Sequence, residues 1–97
     1  MKILALERDV AGITDDAFTD VLLQTEAARA WELHQSGVIR ELYFRQDRHA
    51  AVLVLECESV DEARSVLNTL PLVKHRLIDF EMIPLIPYSG FARLFGK

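Results

Sequence analysis

A single cysteine, Cys57, excludes an internal disulfide framework, and no Cys and His stand together at a metal-ligand or catalytic spacing. Glu56 and Glu58 flank the thiol with negative charge, which raises a thiol pKa, so Cys57 reads as a packed strand residue in a reducing compartment. Long apolar runs are missing too. The start, Met1 to Arg8, carries only about four apolar residues before charge returns, too few for a signal-peptide core or a bilayer span. A cytoplasmic protein with no membrane partner is expected. Basic residues are outnumbered, 11 Lys and Arg against 15 Asp and Glu, and no cluster of them stands clear of acids, which argues against a nucleic-acid partner. No glycine-rich phosphate loop or nucleophile elbow occurs, and neither a metal nor a cofactor is expected.

What is present is a chain of 97 residues, 51% hydrophobic, enough for one compact domain with a modest core over 1–97. Residues 2–7 read as a short strand. Asp9, Gly12, Thr14, Asp15 and Asp16 supply turn and capping chemistry, and a helix is expected from Asp15 to Gln35, stopped by Ser36 and Gly37. Two β-rich runs, 38–45 and 50–57, flank the polar Gln46-Asp47-Arg48-His49, a hairpin signal. Ser59-Val60-Asp61-Glu62 has the form of a capping box opening a second helix through Thr69, with Pro71 ending it. A last strand is expected over 75–86, its far end held to an edge by Pro84 and Pro87, before an apolar aromatic tail over 88–97.

This order, strand-helix-strand-strand-helix-strand, specifies an α+β ferredoxin-like fold, a four-stranded antiparallel sheet with two helices on one face. A sheet open on its other face should alternate apolar with polar, yet Ala50 to Leu55 is continuously apolar and Ile3 to Leu6 is apolar at adjacent positions. A second copy stacked sheet to sheet, giving a homodimer or larger homo-oligomer, is the cheapest cover. The tail residues Phe91, Leu94 and Phe95 offer an alternative cover, on their own sheet or on a partner.

Glu26 is the main chemical candidate. It falls on the core-facing stripe of the first helix with Leu22, Ala30 and Leu33, so it either holds a cation such as Arg40 or has a raised pKa suited to acid/base work. His49 follows Arg45 and Arg48 and precedes an apolar run, which suits either a pocket mouth or an exposed turn. His34 and His75 read as surface residues at a helix end and a strand start. Trp31 and Tyr43 suit a packed aromatic or the wall of a planar-ligand pocket. Asp79 and Glu81 face one way on the last strand, as a rim or an acid pair.

From Glu26 to Ile86 the chain resembles the muconolactone isomerase family. The likeness lies in a Glu eleven residues before the helix-ending Gly37, then Gly37-x-x-Arg40-x-Leu42-Tyr43, the hairpin His region, Ser59-Val60-Asp61-Glu62-Ala63, Leu70-Pro71-Leu72 and Asp79-Phe80-Glu81. The resemblance implies a sheet-packed dimer that assembles further, with a small-molecule pocket between helix and sheet. In that pocket a small lactone carboxylate would undergo a cofactor-free allylic proton shift. It implies the acid/base role for Glu26; on an isomerase reading, His49 is the candidate second catalytic group, and Arg40, Tyr43 and Arg45 are the candidates toward substrate. Where the family places Tyr and, two residues on, Asn, this chain has His49 and Ala51, so its polar contacts differ. A non-catalytic binding or partner-stabilising module and an oxygenase-like relative are the alternative readings on the same fold.

Overall fold

The computed structural model describes residues 1–96. Strand β1 (Lys2–Asp9) leads through a 3-10 turn (Asp15–Ala17) into helix α1 (Asp20–Gln35), followed by the hairpin β2 (Ile39–Phe44) and β3 (Ala51–Glu56). Helix α2 (Val60–Leu67), a four-residue α3 (Pro71–Lys74), strand β4 (Ile78–Leu85) and a terminal 3-10 segment (Gly90–Phe95) complete the order. The strands form one antiparallel sheet in the order β2-β3-β1-β4, leaving β2 and β4 as edges. This is the expected βαββαβ arrangement.

Strand alternation sorts the side chains. Ile3 and Ala5 pair with Leu55 and Leu53 on β3, and this face packs with Ile39, Phe80 and the helix residues Leu33, Ala63 and Leu67 into the core. Between Ile39 and Glu41 the β2–β3 register slips by one residue, which returns Leu42 and Phe44 to the helix side, opposite Leu53 and Ala51. The reverse face carries Leu4, Leu6, Val52, Val54 and Ile83, all partly exposed and covered by none of the described helices.

Local details differ from the sequence expectation: the second helix ends at Leu67, the last strand begins at Ile78 because His75 closes α3, and the first helix start, Pro71 and the capping box depart as follows. The first helix begins at Asp20, because Phe18 and Thr19 are non-helical. Thr19 Oγ1 accepts the Leu22 N–H at 3.2 Å as an N-cap, and the break lets Phe18 pack against the core. Pro71 starts a turn of helix, at a first-turn position that needs no N–H donor. Its consequence is that Leu70, Leu72 and Val73 are buried. In the capping box Ser59 Oγ accepts from Glu62 N at 3.0 Å as expected, whereas the returning Glu62 carboxylate accepts from Glu58 N, one residue farther back.

Cys57 is buried at the end of β3, and burial, reinforced by Glu62 and Glu56, pushes its thiol pKa up. The tail does not cover the outer sheet face: Phe91, Leu94 and Phe95 are largely exposed, and Tyr88 packs edge-on against Phe91 with centroids 4.9 Å apart.

Candidate active site

A cleft of about 1120 Å³ opens between α1 and the helix-facing side of the sheet. Small residues on both sides, Ala27 and Ala30 on α1 and Ala51 on β3, are among those that line it. Apolar groups form most of its wall, with Leu53 and Phe80 on the sheet, Leu70 and Leu72 at one end, and Trp31 and Phe44 toward the mouth.

Glu26 reaches into this cleft from α1, half buried. Its Oε1 accepts the Leu72 N–H at 2.9 Å, and among the described residues it has no cationic partner. Desolvation raises its pKa, the Leu72 hydrogen bond opposes this, and the neighbouring Glu7 carboxylate adds to the rise. Of the two outcomes open to Glu26 in the sequence, the structure has the perturbed carboxyl and not the ion pair with Arg40.

Glu7 is a site residue that sequence reasoning passed over. It stands on β1 in the same parity as Ile3 and Ala5, so it faces the helix side, where its Oε1 accepts the Ala51 N–H at 2.9 Å. That alternation was the available signal. His34, read from the sequence as a surface residue at the helix end, is exposed as expected, also borders the cleft, and donates from Nδ1 to the Ile39 carbonyl at 2.9 Å.

Residues 6–89 match the family model described as muconolactone delta-isomerase. The chain belongs to this family. Like other bearers of the fold, this family member superposes on solved structures. One is the crystal structure of muconolactone isomerase, with a TM-score of 0.71 and 22% identity over 93% of each chain. Another is a 5-chloro-2-hydroxyhydroquinone dehydrochlorinase from Burkholderia phenoliruptrix AC1100, in complex with 2,5-dihydroxybenzoquinone. Its TM-score is 0.64 and its identity 20%, over 93% of this chain and 98% of that one. At these identities the likeness concerns the fold. No curated protein sequence matches.

In this family member Glu26 and His49 line the same cleft. His49 sits at the mouth, its ring stacked on Phe44 with centroids 4.2 Å apart and planes 27° off parallel. Tyr43 borders the rim, but its hydroxyl donates to Glu41 Oε1 at 2.6 Å, two residues back on its own side of the strand, and that carboxylate pushes the phenol pKa up.

The two arginines expected toward substrate stand elsewhere. Arg40 Nε donates to the Gly37 carbonyl at the helix-ending turn, and Arg45 makes a bidentate pair with Asp47 at 2.9 and 2.6 Å in the hairpin; neither lines the cleft. Asp79 is an ion-pair centre for Arg8 and Arg64, at 3.0 and 3.1 Å. Burial alone would raise its pKa, but the Phe80 N–H and the two arginines outweigh burial and hold it below the ordinary carboxylate value. No group of three or more potential metal ligands occurs among the described residues, and none of the described helices is long and apolar enough to cross a membrane.

Proposed function

We propose that this chain is a cofactor-free isomerase that shifts a proton within a small lactone or related enolisable carboxylate. The supporting observation is Glu26, a carboxylate set among apolar walls, without a cation among the described residues, and with a raised pKa. A carboxylate poorly served by water is a stronger base than its exposed counterpart, and a pKa moved toward neutrality suits one group both to take and to return a proton. The Leu72 N–H fixes one carboxylate oxygen of Glu26 and so orients the other toward the space a substrate would fill. Glu26 takes the proton at the γ carbon of the conjugated lactone, and the resulting dienolate is steadied by a donor at the mouth, for which His49 is the candidate. Glu26 then returns the proton at the far end of the conjugated unit, so no atom is gained or lost.

A homodimer completes this reading, as the apolar outer sheet face supports stacking of a second copy. Cytoplasmic placement remains part of the same proposal.

The test follows proton exchange and double-bond migration in muconolactone by NMR in deuterium oxide. Glu26→Gln should lower kcat by about 10²–10⁴-fold, the range for loss of a positioned acid/base group, with the fold intact by circular dichroism. Turnover unchanged in that variant would sink the proposal. In the wild type, kcat/KM should fall on acidification along a limb whose apparent pKa lies above the ordinary Glu value of 4.5.

A further inference from the structure

The two ends of the cleft differ in charge. At the hairpin end stand Glu7, on the Ala51 N–H, Asp15, and Asp9, which Arg48 faces at 3.8 Å; the His49 ring lies there too, stacked on Phe44. At the other end, where β2 begins, the described lining residues are Ala30, Trp31, His34 and Ile39, and of these His34 alone can carry a charge. Its Nδ1 donates to the Ile39 carbonyl at 2.9 Å, so Nε2 is the nitrogen left for a ligand, and in the protonated ring that nitrogen is a donor. The charged side chains of the adjoining backbone are engaged: Glu32 lies 3.8 Å from Arg29, Arg40 donates to the Gly37 carbonyl, and Glu41 accepts from Tyr43.

Glu26 and His34 stand eight residues apart on α1, about 12 Å along the helix axis, with Ala30 and Trp31 of the apolar wall between them. A substrate that presents its reacting carbon to Glu26 therefore reaches His34 only through an arm of several bonds. We propose that His34 receives the substrate's carboxylate, and that the substrate is a lactone or enolisable carbonyl compound carrying that carboxylate on an arm longer than one methylene. This rests on the isomerase reading of the same cleft and names its substrate class. Each part of such a molecule meets a matching surface. The apolar interior takes the ring, while the exposed His34 end lets the carboxylate keep part of its hydration, away from Glu7 and Asp15.

The probes are muconolactone, its homologue with a carboxypropyl arm in place of carboxymethyl, and the methyl ester of that homologue. Trp31 is the only tryptophan, its ring centroid 6.0 Å from that of His34, so its fluorescence reports occupancy of this end. At about pH 6, where an ordinary imidazole is largely protonated, the long acid should bind about tenfold more tightly than its ester, the scale of one charge-assisted hydrogen bond, and more tightly than muconolactone. His34→Asn keeps a side-chain N–H for the Ile39 carbonyl and removes the charge, and should bring acid and ester to equal affinity. His34→Gln, equally uncharged, repeats the comparison in a second background. Equal binding of the long acid and its ester by the wild type, binding of neither, tighter binding of muconolactone, or an acid preference that survives in both variants overturns the inference. Proton exchange followed on the same samples judges the isomerase reading separately: a long acid that binds through His34 without exchanging defeats that reading alone.

Discussion

Glu26 sets a conflict between function and stability that can be measured. Its folded-state pKa is raised, by desolvation first and by Glu7 after it, so between the unfolded and folded pKa values the native state binds more protons than the unfolded chain. Stability therefore falls as pH rises through that window, and the full cost is present above the folded pKa. Glu26→Gln keeps an oxygen for the Leu72 N–H and removes the charge. Its Tm should exceed that of the wild type by a few degrees at pH 7, where ~1 kcal/mol moves a domain of this size by about 4–8 °C, and the gap should close near pH 4 in thermal unfolding. A lower Tm at pH 7 would mean that the carboxylate is better solvated than its surroundings suggest. Glu26 was legible in the sequence because a charge on an apolar helical stripe is conspicuous, whereas Glu7 was masked at the polar end of a strand. Arg40 and Arg45 look like free cations until local geometry gives each a partner within three residues.

Among the elements, helix starts were read from side-chain capping, and the reading was as good as the chemistry is local. Ser59 caps α2 through the Glu62 N–H, and Ser59→Ala should cost about 1 kcal/mol in urea unfolding without altering the cleft, which Ser59 does not line. A loss below a few tenths would show that solvent replaces the cap. The start of α1 was less legible. Asp15 and Asp16 have capping chemistry and do open a short 3-10 turn, but burial of Phe18 decides where the α-helix begins, and burial is a tertiary fact. Pro71 illustrates the same limit, since a proline both stops one helix and suits the first turn of another.

At the scale of the whole molecule, the uncovered sheet face follows from topology, because the helices all pack on the other side and the tail leaves Leu4, Leu6, Val52, Val54 and Ile83 partly exposed. Val54→Lys puts a charge at the middle of that face and should convert the proposed dimer to monomer in sedimentation equilibrium; a monomeric wild type would remove the proposal. The apolar excess was legible as adjacent hydrophobic residues where alternation was due, while the cleft was not, since it is lined by residues far apart in the sequence, from β1, α1, the hairpin and β4.

The sheet margins bear on how copies can add. Pro84 lies within β4, where it offers no N–H to a neighbour, and β2 breaks its register beside Arg40 and Glu41. Neither edge is a good template for strand-by-strand growth. In the proposed dimer, where the apolar faces of two copies cover each other, growth would stop at the pair and would not run on along the strand edges.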